Sequence, residues 1–240
     1  MLLSRIQAAE DAAGRIDWDV SVDSTAVRAH QHAAGARKAP AVAVPQKGIA
    51  ERGDEPGRSS VEETDGPAGG SGQIGWCLGR SRGGFTTRIH LAADGRCRPL
   101  ALVLTLGHYG DGTQFERVLE QVSVPRIGVG RPRTRPDHVL ADKTYASRKN
   151  RRYLRRRGIR HTIPERLDQQ RHRKNRGSRG GRPTGFDSER YKKLNTVERA
   201  INRPKGFRAV ATRYGKRAYI YLGTVKLAGI RGTVPTRQPL

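Results

Sequence analysis

Large apolar side chains are scarce in this sequence. Four Phe, seven Tyr and two Trp make up 5% of 240 residues, and hydrophobic residues of all kinds reach 35%. So thin a supply cannot fill a core along the whole chain, which places some stretches outside it. Cysteine is nearly absent: Cys77 and Cys97 are the pair. They lack the number and spacing of a disulfide framework or a zinc site, so two small packing residues in a reduced, cytoplasmic setting are expected. No long apolar segment suits a membrane span and no basic amphipathic helix suits a membrane surface; no signal-peptide pattern opens the chain. Acid is short too. Against 47 Lys and Arg stand 22 Asp and Glu, a formal net charge of +25, with a sequence pI near 11.3. That excess, densest in the second half, points to phosphate backbones as the partner.

What remains reads as one catalytic-size domain with appendages. Residues 1–16 carry Leu3, Ile6 and Ala9 at helical spacing with Gly14 as a stop, a short N-terminal helix. The main domain is expected over 17–215, with two loops inside it. Residues 33–82, rich in Ala, Gly, Pro and charge, read as a mobile loop, and 166–186 as a basic, Gly-rich loop without core material. "VSVDSTAVRAH" (20–30) reads as a buried strand stopping on Asp23. "GGFTTRIHLAADGRCRPLALVLTLG" gives two strands about Asp94-Gly95, a hairpin signal. "DGTQFERVLEQV" has Phe115, Val118, Leu119 and Val122 at helical spacing, with Asp111 as a helix N-cap or turn acid. "HVLADKTY" repeats the opening pattern and stops on Asp142. A basic helix "SRKNRRYLRRRG", a strand "IRHTIPE" and a single helix "DSERYKKLNTVERAINRPKGF" follow, and 216–240 reads as a divergent tail. This order predicts an α/β fold, a mixed β-sheet flanked by helices.

Three acids occupy telling places: Asp23 ending the first strand, Asp142 ending the fourth and Glu198 within the late helix. If those two strands are neighbours, both aspartates emerge at one edge of the sheet, where a packed helix adds the glutamate. Carboxylates a few ångströms apart repel unless a cation sits between them. Hard oxygen ligands favour Mg2+ or Mn2+, and two such ions about 3.5–4 Å apart can activate an attacking oxygen and stabilise a leaving one. Taken singly, each acid is more often a turn residue, a strand end or a solvated helix charge. His30, His32 and His90 lack a third ligand at zinc-like spacing.

The surrounding words are more specific than the acids. "VSVDSTAVRAHQHAAGARK", "GRSRGGFTTRIHLAADGRCRPLALVLT", "VLADKTYASR", "YLRRRGIRHTIPER" and "ERYKKLNTVERAINRPK" resemble the DDE transposases of bacterial insertion sequences, in insertion-sequence group five. The likeness runs in family order over roughly residues 15–215. It implies a ribonuclease H-like fold, with Asp23, Asp142 and Glu198 as catalytic and metal-binding residues. It also implies metal-dependent strand cleavage and strand transfer at insertion-sequence ends, on double-stranded transposon-end and target DNA. A homo-oligomer on DNA and a place in the bacterial nucleoid go with it. The family's last helix carries Tyr, Arg, Glu and Lys in a fixed pattern. Tyr191, Glu198 and Lys205 fall in register here, but Leu194 stands in the arginine position, so Arg190 and Lys193 are the expected substitutes. Arg151, Arg152 and Arg155 are expected to bind DNA, and Pro204 to kink or end the helix. Relatives carry an N-terminal helical region ahead of this segment, which suggests a downstream-frame or truncated product. The alternative reading is therefore a catalytically inactive remnant that only binds DNA.

Overall fold

The computed structural model describes residues 2–34, 76–81 and 84–231. Most of the loop expected at 33–82, and residues 232–240 of the expected tail, lie outside these. The strands are β1 Asp19–Ala29, β2 Gly79–Ser81, β3 Gly84–Ala93, β4 Pro99–Leu106, β5 His138–Ala141, β6 Arg160–Thr162 and β7 Thr212–Arg213. The helices are α1 Leu2–Ala12, α2 Gln31–Ala34, α3 Phe115–Glu120, α4 Arg148–Arg156, α5 Leu167–Asn175, α6 Ser188–Lys192, α7 Asn195–Lys205, α8 Arg208–Ala211 and α9 Ala218–Arg231.

β1 is the middle of the sheet. It pairs antiparallel with β3 on one side and parallel with β5 on the other. β4 continues antiparallel from β3 and β6 parallel from β5, giving the order β4-β3-β1-β5-β6. This is the expected mixed sheet flanked by helices. Strand alternation sorts the faces. Val20, Val22, Val139 and Ala141 pack with Phe115, Val118 and Leu119 of α3 and with Tyr153 and Leu154 of α4. On the opposite face Leu91 and Ala93 meet Val197, Ala200 and Ile201 of α7, while Val27 and Ile89 meet Tyr221 and Val225 of α9. α1 is clamped to β4 by Gln7, whose amide donates to the carbonyls of Pro99 (2.9 Å) and Leu100 (3.0 Å).

Several elements depart from the sequence reading. β1 does not stop on Asp23. β3 keeps pairing with it as far as Arg28 opposite Thr86, and only its parallel partner β5 ends beside Val22. The hairpin turns over residues 94–98, not on an Asp-Gly pair alone. Asp94 organises it by accepting from the N–H groups of Arg96 (2.9 Å) and Arg98 (2.7 Å), and Cys97 takes the positive φ of 66°. The single helix expected from 187 is two. Asp187 caps α6 by accepting from the N–H of Arg190 (2.9 Å), and the chain then tightens, Thr196 N–H bonding Lys193 O at 3.0 Å, before α7 begins. Pro204 sits in the last turn of α7, buried, where it ends the helix.

Within the basic loop, 167–175 is helical although none of its residues is buried. Arg173 anchors it through an ion pair with Glu165 at 2.8 Å. The expected tail is revised more sharply: residues 218–231 form α9, whose Tyr221, Val225 and Ala228 are core. Tyr221 also donates its hydroxyl to Val210 O at 2.7 Å. Apolar residues occur all around this helix, so no clean amphipathic period marked it.

His90 on β3 is buried, with Nε2 2.8 Å from Thr105 Oγ1 and Nδ1 without a hydrogen-bond partner among the described residues. Burial holds its pKa down at about 4, below an ordinary value of 6.5. The folded state therefore prefers the neutral ring. Its contribution is complete above about pH 6.5 and is lost as the pH falls toward 4, a difference of ~3 kcal/mol. His138 is depressed to about 4 for the same leading reason. The melting temperature should fall over this window, and His90→Gln should flatten the fall. An unchanged slope in that variant would remove His90 from the acid response.

Candidate functional site

The site follows from one register. β1 and β5 run parallel with Val22 beside Ala141, so Asp23 and Asp142 are the next residues along two adjacent chains. Val22 and Ala141 face the α3–α4 core, and alternation turns the two aspartates to the α7 face. Asp142 precedes a 3-10 turn over Lys143–Tyr145 and accepts from Thr144 Oγ1 (3.1 Å) and from the Tyr191 hydroxyl (3.4 Å). Glu198 is exposed on α7, the helix packed against β1 and β3. Lys205, two turns further along, donates to Thr25 Oγ1 at 2.9 Å, and Thr25 is the next residue on the same face of β1 as Asp23.

The carboxylates feel one another. Burial pushes the pKa of Asp23 up to about 6; a bond from the Ser24 backbone opposes this, and the charges of Asp111, Asp142 and Glu198 add to it. Among the described residues none of Asp23, Asp142 and Glu198 forms an ion pair with Lys or Arg. Acids without a counter-charge in so basic a chain are a suitable donor set for a hard divalent cation. They gather on one flank but are not drawn into a finished cage. Among the described residues no group of three or more His, Cys, Asp or Glu is close enough to hold a metal ion.

Tyr191 thus touches Asp142, Glu198 acts on Asp23 through its charge, and Lys205 meets Thr25 on the same face of β1. Arg190 and Lys193 lie elsewhere, at Asp19, four residues back along β1. Their ion pairs with Asp19 measure 3.6 and 3.4 Å, and Arg190 also donates to His138 Nδ1 at 3.1 Å. Leu194 packs against the Leu91 cluster, so its side chain serves the core. On α4, Arg151 is half-buried and donates to Ile163 O (2.9 Å), whereas Arg152 and Arg155 are exposed. Arg133 covers the Trp18 ring at 4.0 Å. His30 and His32 stack at 4.7 Å.

Asp111 was expected only to cap a helix or close a turn. It opens a 3-10 turn whose cap position is Gly110, and its carboxylate instead takes the Ser24 hydroxyl and pairs with Arg88. It therefore braces β1 one residue from Asp23, from the other face of the sheet. Nothing local distinguishes such an acid from a cap, because its partners lie 87 and 23 residues away.

A family model described as a transposase DDE domain matches residues 15–220. A Burkholderia cepacia protein named for a transposase of insertion sequence element IS402 is 32% identical over 141 residues, 59% of each chain. A Brucella ovis protein named for a transposase of element IS6501 is 30% identical over 144 residues, 60% of this chain and 95% of that one. Among solved structures, the Mos1 strand transfer complex aligns at a TM-score of 0.30 and 12% identity, over 95% of this chain and 57% of that one. The Mos1 mariner paired end complex with Mn aligns at 0.29 and 12%, over 95% and 58%. The chain thus spans 59% of the length of the IS402 relative and a similar share of the Mos1 chains.

Proposed function

The chain belongs to the transposase DDE domain family, and from that premise we propose that it cuts and joins DNA strands at insertion-sequence ends in a divalent-metal-dependent reaction. One observation carries this reading: the register that sets Asp23 beside Asp142 on the face covered by α7, with Glu198 close enough to raise the pKa of Asp23. Asp23, Asp142 and Glu198 would hold Mg2+ or Mn2+, which when bound supplies Lewis-acid polarisation of the phosphoryl group and of the attacking oxygen. The protein's own groups orient the substrate. The Tyr191 hydroxyl holds one oxygen of Asp142. The Lys205 ammonium, fixed by Thr25, offers a point charge to a phosphate oxygen beside the acids. Water attacks phosphorus at a transposon end as its bond to the 3′ oxygen breaks, leaving a 3′-hydroxyl and a 5′-phosphate; that hydroxyl then attacks a target phosphorus and displaces the target's own 3′ oxygen. DNA with its paired ends, and a second copy of the chain assembled on it, are the proposed partners. Among the described residues no helix is long and apolar enough to cross a membrane.

The test is a nicking assay on supercoiled plasmid carrying the element's terminal inverted repeats. With Mg2+ or Mn2+ a nick leaving a 3′-hydroxyl at the repeat boundary is expected, and a chelator should prevent it. DNA binding without metal-dependent nicking, even with the N-terminal region of a relative supplied in trans, would leave only the DNA-binding remnant.

A further inference from the structure

The strongest unassigned feature lies at the other end of β5 from Asp142. A cleft of about 460 Å³ wraps the free edge of β6 between α4 and the chain at 184–185. Its cationic lining is Arg151, Arg155 and Arg160, the imidazoles of His138 and His161 lie beside them, and no carboxylate lines it. The nearby acids are engaged elsewhere. Glu165 is paired with Arg173 at 2.8 Å, and Asp19 with Arg190 and Lys193. Among the described residues the guanidinium groups of Arg155 and Arg160 make no hydrogen bond or ion pair, although both are exposed at the mouth.

We infer that this cleft is a second phosphate site, which needs no metal and takes the phosphate ester of a nucleic-acid backbone. The inference rests on the proposed action on DNA and adds where the strand runs. Arg155 and Arg160 supply planar donors that match phosphate oxygens, and Arg151, already anchored to Ile163 O, is pre-oriented at the inner wall. Crowded cations without an anion are held at a cost. Burial first, then Arg151 and Arg155, keeps His161 below the ordinary histidine range, and burial then Arg190 does so for His138. An anion in the cleft relieves that cost.

The spacing suits a duplex. His138 and Asp142 are four residues apart along one extended chain, about 13 Å at ~3.3 Å per residue and so about four base-pair steps at ~3.4 Å. A strand cut at the acids would place a flanking phosphate in the cleft. α6 spans the interval, Tyr191 bonding Asp142 and Arg190 bonding His138.

The experiment measures binding of the full chain to a 30-base-pair duplex across a salt series in chelator, so that cleavage plays no part. The double variant Arg155→Gln, Arg160→Gln should lower the slope of log affinity against log salt by about two, near one per lost contact. Arg5→Gln with Lys226→Gln, a charge-matched control away from the cleft, should change it less. Arg155→Lys with Arg160→Lys keeps the charge and should keep most of the slope, and all variants should melt like the native chain. Titration with inorganic pyrophosphate separates the sources. If pyrophosphate binding is lost in the cleft variant while the DNA slope is unchanged, the site takes a free phosphate and the DNA assignment is overturned. If neither changes, the phosphate site is overturned altogether. A lowered slope in a chain that never nicks keeps the cleft and removes the catalytic reading; nicking with an unchanged slope does the reverse.

Discussion

Asp23→Asn is expected to abolish metal-dependent nicking, by at least ~10³-fold, while leaving the melting temperature unchanged or raised by a few degrees. The two halves have one cause. Asp23 is partly buried on the central strand with Asp111, Asp142 and Glu198 raising its pKa, so the folded chain bears the cost of confining its charge. Asparagine keeps the shape and removes the charge, which relieves repulsion, yet it also replaces an anionic oxygen ligand by an amide nitrogen that binds a hard cation poorly. Losing transition-state stabilisation of ~4 kcal/mol corresponds to the expected ~10³-fold. A stability gain paired with a loss of reaction is the signature of a site held against its own folding preference. Nicking rates and thermal melts on the same preparations check it. Retained nicking would remove Asp23 from the chemistry, and lost nicking with a large drop in melting temperature would make its role structural.

Arg213 carries the second large effect, on stability. It is 0% exposed on β7 and has no carboxylate partner among the described residues. Its charge is balanced by neutral oxygens: Nε donates to Gly215 O (3.0 Å), Nη1 to Cys77 O (3.1 Å) and the Thr87 hydroxyl, and Nη2 to Lys216 O (3.1 Å). The Tyr221 ring lies 5.2 Å from the guanidinium carbon. One side chain therefore ties β3, the stretch before β2 and the start of α9 into one unit. Arg213→Met fills similar space but strands several buried acceptors, each costing ~1–3 kcal/mol when unsatisfied. A loss of about 3–5 kcal/mol is expected, a fall in melting temperature on the order of 10 °C for a domain of this size. Arg213→Lys should recover little of it, because an ammonium cannot reach oxygens arranged around a planar fork. A shift within a degree or two for Arg213→Met would show that the contacts contribute nothing net.

Much of the scaffold was legible because its signals are local. The alternation in Val20 and Val22, the apolar runs of β3 and β4 and the helical spacing of Phe115, Val118 and Leu119 each report one buried face within a few residues. Where reading failed, a distant partner had overridden the local signal. β1 runs through Asp23 because β3 pairs with it, and the helix expected from 187 breaks where Leu194 turns into the core. α9 is buried by β4 and α8, which no spacing within residues 218–231 records.

The sequence by itself determined the kinds of element, the surplus of positive charge and the apolar run that leads into each of Asp23 and Asp142, since side-chain periodicity and charge are properties of a short window. Only the tertiary structure decided that those strands are parallel neighbours, that Asp111 braces β1, that Arg213 is buried without an acid and that arginines from α4 and β6 share a cleft. Each of these depends on pairing between segments tens of residues apart, where the cost of closing the loop is met by burial and hydrogen bonds that no single window contains.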